Sequence, residues 1–140
     1  MTSVDVDQVS TAGAVGRRAR AVTVTAATTA AAAIWLVAAI AGTTLTVGMQ
    51  GRPPMTIGLP MVIATALAAS LAGWGALALL ERLTKHARTW WTGIAFATLL
   101  ASFGPILTAQ TTGGVRLTLA LMHIAVATVL IPGLRRTRRS

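Results

Sequence analysis

Residues 57–88 decide the fold: they are IGLPMVIATALAASLAGWGALALL (57–80) followed by ERLTKHAR (81–88). The first part runs for 24 residues without a charge. The hydrocarbon core of a bilayer is about 30 Å thick, so a helix rising about 1.5 Å per residue needs about 20 apolar residues to cross it. Four charged residues follow within the second part. Residues 57–88 therefore predict a transmembrane helix that ends in a basic aqueous loop.

Three further apolar segments lie on either side of this helix, at about residues 21–42, 90–109 and 117–134. Four spans occupy most of a 140-residue chain, whose mean hydropathy is +0.72. The sequence thus predicts an all-α, four-helix transmembrane bundle with short loops, residues 21–134 forming one membrane domain. We expect residues 1–20 to be a disordered arm and residues 135–140 to be a basic tail.

The cations predict how the bundle is oriented. Ten of the twelve lie in the arm, in the loop after residue 80 and in the tail: Arg17, Arg18, Arg20, Arg82, Lys85, Arg88, Arg135, Arg136, Arg138 and Arg139. Only Arg52 and Arg116 lie in the other two loops. The positive-inside rule then places both termini in the cytoplasm. The Ala, Thr, Val and Arg usage resembles that of bacteria with GC-rich genomes, so we expect a multi-pass protein of the bacterial plasma membrane.

A cleaved signal peptide is the alternative interpretation of the first span, since Arg17, Arg18 and Arg20 precede it and residues 39–41 read AIA. The apolar core of a signal peptide has about 7–15 residues, whereas this segment has about 21. It also begins after a 20-residue arm. The length favours a retained helix.

The net charge of +9 also has two interpretations. Nucleic-acid binders carry basic residues along one folded face, often among stacking aromatics. Here the cations gather at the ends of apolar segments, where each attracts anionic headgroups by about 1 kcal/mol. We therefore expect the partner to be the anionic cytoplasmic face of the bilayer, and no nucleic acid. One acid lies near these cations, because Glu81 and Lys85 stand four residues apart on the same helix and predict an exposed pair.

Small residues recur every four positions on the second and third spans. They are Ala68, Ala72 and Ala76, Ala69 and Gly73, and Gly93, Ala97 and Ala101. This spacing lets membrane helices approach closely. It is explained either by packing within the bundle or by a homodimer formed through these faces, and the sequence leaves both open.

Two pairs on the third span have predicted structural roles. Trp90 and Trp91 stand where this span enters the bilayer, which predicts that they are interface anchors. Gly104 and Pro105 lie near its other end, and a proline frees the carbonyl of the residue four positions earlier, so we expect a helix kink there. The kink either shapes the bundle or uses that carbonyl, near Ala101, to line a cavity.

His123 is the candidate functional residue inside the membrane. It lies roughly 4 Å from the midplane of the fourth span at about 1.5 Å per residue, and intramembrane ionisable groups are costly and often functional. The alternative is a structural histidine, bonded across the bundle to a carbonyl or a hydroxyl. Hydroxyls at middle depth belong to Thr65, Ser70, Thr98 and Ser102.

The residue types exclude several classes of membrane protein. The chain has no cysteine, which removes disulfides, thiol chemistry and Cys-ligated metals. Its three acids, Asp5, Asp7 and Glu81, all lie outside the predicted core of the bilayer. No sequence motif for a metal site, a nucleotide loop or a nucleophile elbow is present. We therefore expect no enzyme, no cofactor and no metal.

Two stretches carry a resemblance to a known family: GWGALALLERLT at residues 73–84 and LMHIAVATVLIPGL at residues 121–134. Both are similar to an actinobacterial family of small four-span integral membrane proteins that is catalogued as a domain of unknown function. The resemblance extends from Ala30 to Arg136. It implies a four-helix membrane fold and supplies no activity. The positions it implies to matter are Trp74, Glu81, Gly104, Pro105, His123, Pro132 and Gly133.

Three functions therefore follow as hypotheses. The first is a non-enzymatic membrane protein that packs with itself or with a partner. The second is a subunit of a small-solute or proton-coupled transporter that uses His123. The third is a holin-like pore former, suggested by the small size and the basic tail.

Overall fold

The computed structural model describes the backbone of residues 3–49 and 51–136, and the side chains of residues 13–49 and 51–136. Its elements, in chain order, are α1 (Ser3–Ile40), β1 (Thr46–Met49), β2 (Arg52–Thr56), α2 (Leu59–Leu83), α3 (Ala87–Thr108) and α4 (Gly113–Arg136). All four helices are long and apolar enough to cross a membrane, within residues 13–40, 59–83, 87–108 and 113–136. The predicted all-α, four-helix transmembrane fold is confirmed, while the orientation stays a prediction.

The N-terminal arm differs from the expectation. We expected residues 1–20 to be disordered, but α1 already begins at Ser3, so that prediction is wrong from residue 3 onward. Residues 3–20 contain no proline, and their alanines favour a helix. Arg20, at the end of this stretch, is also buried at 8% exposure, which ties the helix to the bundle. Residues 1 and 2 lie outside the described part of the chain.

The fourth helix continues past its predicted end. The sequence places this end at Leu134, directly after Pro132 and Gly133, yet α4 runs through both to Arg136. A proline removes one hydrogen bond from a helix, and packing against neighbouring helices makes that loss tolerable in a membrane. Part of the predicted basic tail is therefore helical, and residues 137–140 lie outside the described residues.

The helices pack as an antiparallel ring in which α1 lies between α2 and α4, and α3 contacts α2 and α4. Two apolar clusters fill the interior. The hairpin-side cluster consists of Ala31, Ala38, Leu45, Val62, Ala66, Val115 and Met122. The turn-side cluster consists of Ala27, Leu77, Trp91, Leu130 and Leu134. We call the end of the bundle that carries β1 and β2 the hairpin end, and the end that carries the α2–α3 turn, residues 84–86, the turn end.

A small β-hairpin, absent from the predicted elements, closes the hairpin end. β1 and β2 pair antiparallel, with Thr46 opposite Thr56. Gly48 exchanges two backbone hydrogen bonds of 3.0 Å with Gln110, directly after α3. The indole N–H of Trp35 in α1 donates to the carbonyl of Ile57 at 3.0 Å. The first loop thereby connects α1, α3 and α2 at this end of the bundle.

Candidate functional site

His123 lies half-buried between α4 and α3. Its Nδ1 is 2.8 Å from the carbonyl oxygen of Leu119, one turn earlier in the same helix. Because a carbonyl only accepts, Nδ1 is the donor, and in the neutral ring the lone pair lies on Nε2. The ring of Phe103 stands 6.5 Å from the imidazole, centroid to centroid. The Nδ1 of His123 is thus bonded within its own helix. The prediction that the imidazole bonds across the bundle is wrong for this nitrogen.

Three of the four hydroxyls named as partners for His123, those of Thr65, Ser70 and Ser102, bond elsewhere or have no partner among the described residues. Thr65 Oγ1 donates to the carbonyl of Met61 at 2.7 Å, and Ser102 Oγ to that of Leu99 at 2.6 Å. Ser70 is fully buried, and its hydroxyl has no hydrogen-bond partner among the described residues. A functional role for His123 stays a prediction.

Gly104 and Pro105 lie on the outer surface of α3. The helix continues through Pro105 to Thr108, and the N–H of Ala109 donates to the carbonyl of Pro105 at 2.9 Å. Ala101, whose carbonyl the proline would free, is exposed as well. This stretch therefore lies at the periphery of the bundle, and both the kink and the use of the freed carbonyl to line a cavity stay predictions.

The two tryptophans of α3 have different surroundings. Trp90 is 63% exposed, in keeping with an interface anchor, and that role stays a prediction. Trp91 is 2% exposed, and its indole N–H donates to the carbonyl of Gly73 in α2 at 2.9 Å. An anchor must reach the headgroups, so that role is wrong for Trp91. The burial is explained by the 100° between successive helical residues, which turns one ring outward and the next inward.

Replacing Trp91 with phenylalanine is expected to lower the free energy of unfolding by about 1–2 kcal/mol, because it removes the indole donor of the part-buried hydrogen bond to the carbonyl of Gly73. Trp90→Phe is the matched control and should leave stability unchanged. Unfolding in mixed detergent micelles, followed by circular dichroism, measures both. Equal effects of the two substitutions would contradict the buried bond.

A buried ion pair at the turn end joins α1 to α2. One guanidinium nitrogen of Arg20 lies 2.8 and 2.9 Å from the two carboxylate oxygens of Glu81. The two side chains are only 10% and 11% exposed. The sequence predicted Lys85 as the partner of Glu81, but Lys85 is exposed and the carboxylate binds Arg20. The sequence did contain a signal for this pairing, namely the depth of the two residues in the membrane. Arg20 and Glu81 are the charged residues nearest the bilayer on two consecutive antiparallel spans.

A tight contact between α1 and α4 lies near this ion pair. A Cβ added at Gly133 would overlap the side chain of Thr23, lying 2.8 Å from its Oγ1. Thr23 Oγ1 donates to the carbonyl of Ala19 at 3.0 Å, so the hydroxyl is held in place. The resemblance implied that Gly133 matters, and this contact explains why a glycine is needed there. Only a residue without a side chain fits between α4 and Thr23.

The repeated small residues mostly face away from the bundle. Gly73 and Ala76 are the exceptions. A Cβ at Gly73 would lie 3.2 Å from Leu130 of α4, and Ala76 packs against the turn-side cluster. Exposed members of the repeats are Ala68, Ala69, Ala72, Gly93, Ala97 and Ala101. α3 is the least buried of the four helices. In its most apolar 18-residue stretch 11% of the residues are buried, against 22% in α1 and in α4. Packing within the bundle therefore explains Gly73 and Ala76 and leaves the exposed positions unexplained.

The described residues contain no group of three or more His, Asp or Glu side chains that could hold a metal ion. A family model described as a family of unknown function, DUF6069, matches residues 11–140. No curated protein and no solved structure matches the chain. The match agrees with the resemblance of residues 73–84 and 121–134 to a family of unknown function.

Proposed function

We propose that this chain, which belongs to the DUF6069 family of unknown function, is a non-enzymatic membrane protein that assembles with a second copy of itself through α3. The observation that carries the proposal is the outward stripe Gly93, Ala97 and Ala101 on the least buried helix. Small residues at this spacing allow close backbone approach, which drives association where lipid removes the hydrophobic effect between helices. A Cβ at Gly93 would meet nothing within 4 Å, so the monomer leaves this position open.

A homodimer through this stripe is expected to weaken about tenfold when Ala97 is replaced by leucine, because the larger side chain separates the helices. The matched control is Ala33→Leu, since Ala33 is an exposed alanine on α1, outside the stripe. Energy transfer between differently labelled copies in phosphatidylcholine vesicles, at a fixed protein-to-lipid ratio, measures association. No transfer in the unmodified chain, or an equal loss in both variants, would overturn the α3 interface.

The orientation is part of the proposal: the turn end lies at the cytoplasmic face of a bacterial plasma membrane, and the hairpin end lies outside. It is supported by the ten cations within residues 17–20, 82–88 and 135–139, which attract anionic headgroups.

Labelling with a membrane-impermeant maleimide tests the orientation, and the chain has no cysteine of its own. In spheroplasts, Met55→Cys in β2 is expected to react at once, whereas Thr89→Cys at the turn end should react only after permeabilisation. Both positions are exposed, so access to the side chain is matched. The reversed pattern would refute the orientation and leave the dimer interface untouched.

A further inference from the structure

The middle of α3 is less buried than its two ends. The buried residues of this helix lie towards its ends, at Ala87, Trp91 and Ile106. None of residues 92–105 is buried. Across from them His123 is half-buried near the middle of α4, and so is Phe103, the α3 ring closest to it. The α3–α4 seam, which we define by His123 and Phe103, is therefore partly open to the surrounding lipid.

One nitrogen of His123 is available to accept a hydrogen bond. Nδ1 donates to the carbonyl of Leu119, so in the neutral ring Nε2 carries the lone pair, and Nε2 has no partner among the described residues. In that part of the chain, the buried side-chain atoms without a partner are Ser70 Oγ and Arg116 Nε. Nε2 is therefore accessible from outside the bundle. Hydrocarbon contains no water to donate to it, so its donor must come from a molecule within the membrane.

The surroundings of Nε2 suit an uncharged ligand. Residues 89–108 on α3 and 117–134 on α4 contain no Asp, Glu, Lys or Arg. A charged ligand would therefore lose its hydration at this depth without gaining a counterion from either helix. The hydroxyl of Ser102, beside Phe103, already donates to the carbonyl of Leu99 at 2.6 Å. The ligand must thus be neutral and bring its own donor.

Phe103 favours an aromatic donor. Its ring lies 6.5 Å from the imidazole, centroid to centroid, and the two planes are inclined by 45°. Aromatic rings prefer such tilted or offset neighbours, so a ligand ring that is bonded to Nε2 can pack against the ring of Phe103. A phenolic hydroxyl is more acidic than an aliphatic one, which makes it the stronger donor to an imidazole nitrogen. Acceptor and ring together therefore suit a phenol.

We infer that the α3–α4 seam binds a lipid-soluble phenol, a class that includes hydroquinones with an apolar tail. The phenolic O–H donates to Nε2 of His123, and the phenol ring packs against Phe103. The methyl ether of the same phenol has no donor and leaves Nε2 unpaired, so the site distinguishes the two compounds. The inference goes beyond the proposed dimer and does not rest on it.

Binding of tritiated para-nonylphenol to the full chain in dodecyl maltoside, measured by scintillation proximity, tests the site. The methyl ether, para-nonylanisole, is expected to compete about tenfold more weakly than the unlabelled phenol, because it lacks one hydrogen bond. His123→Phe should weaken phenol binding by about the same factor and remove the difference between the two compounds. His86→Phe is the matched control, since His86 is an exposed histidine of the α2–α3 turn, and it should leave the affinity unchanged.

A second pair of variants tests the aromatic contact. Phe103→Leu should weaken the phenol and its methyl ether equally, by about threefold, because it removes the ring that both would contact. Phe96→Leu is the matched control, since Phe96 is an exposed phenylalanine two turns earlier in α3. Equal losses in Phe103→Leu and Phe96→Leu would overturn the seam as the binding site.

A measurement on the unmodified chain does not depend on how His123→Phe folds. With nitrogen-15 histidine, the Nε2 signal of His123 should move to lower frequency as the phenol is added and stay in place with the ether, and His86→Phe identifies this signal. An unmoved signal, equal affinities for the two compounds, or equal losses in His123→Phe and His86→Phe would overturn the inference. Energy transfer between copies reports the α3 dimer separately, so failure of one proposal is distinguished from failure of the other.

Discussion

Replacing Arg20 with methionine is expected to lower the free energy of unfolding by about 3 kcal/mol, the largest effect predicted for any single side chain here. Methionine keeps an unbranched apolar chain and removes the guanidinium. The carboxylate of Glu81, only 11% exposed, would then remain buried without its partner. Removing one member of a buried ion pair is costly because the remaining charge keeps its desolvation penalty and loses its attraction.

Two further variants make this prediction specific. Lys85→Met should change stability little, because Lys85 is exposed and Glu81 binds Arg20. The double variant Arg20→Met with Glu81→Gln should recover much of the loss, since it removes both charges. Titration with sodium dodecyl sulfate in mixed micelles, followed by tryptophan fluorescence, gives the stability of each variant. A larger loss for Lys85→Met than for Arg20→Met would show that the pairing predicted from spacing is the real one.

Replacing Gly133 with alanine is expected to lower the free energy of unfolding by about 2 kcal/mol, because the added methyl group would overlap Thr23 across the α1–α4 contact. The neighbouring backbone cannot yield without separating two helices that contact each other extensively. Gly75→Ala is the matched control, since Gly75 also lies inside a helix and a Cβ there meets nothing within 4 Å. That control should gain about 0.5–1 kcal/mol from helix propensity.

The rescue experiment for Gly133→Ala is Thr23→Ala in the same chain. It removes the two atoms nearest the new methyl group and leaves the threonine Cβ, 3.2 Å away, as the closest. The double variant should therefore be more stable than Gly133→Ala alone, with a positive coupling measured by a double-mutant cycle in the same detergent titration. Independent, additive losses would contradict the direct contact.

Much of the fold could be predicted from hydropathy. The expected second span, residues 57–80, became α2 at Leu59–Leu83, and the other three spans also fall on observed helices. The boundaries differ where polar or proline residues were taken to end a helix, as at Pro132. A proline removes one backbone hydrogen bond and need not end the helix, so its presence in the sequence does not by itself place a helix end.

The candidate site was less predictable, because it depends on which helix faces which. Trp90 and Trp91 are the same residue type in adjacent positions, yet one ring is exposed and the other binds the carbonyl of Gly73. The spacing along the sequence likewise predicted Lys85 as the partner of Glu81, whereas the folded chain pairs Glu81 with Arg20. Periodicity in the sequence identifies neighbours on the same helix, whereas these contacts join residues of different helices that are more than 15 positions apart in the chain.

By itself, the sequence determined the number of spans and their approximate limits, since transfer of about 20 apolar residues into lipid depends on composition and length. Only the tertiary structure decided how the spans pair: Gly133 against Thr23, Arg20 against Glu81, and Gly93 and Ala97 facing outward. The physical reason is that lipid is as apolar as leucine, so hydropathy drives a helix into the membrane and does not choose its neighbour. Which helices pack together is determined by close contacts and buried polar pairs, and these form only when the helices have come together.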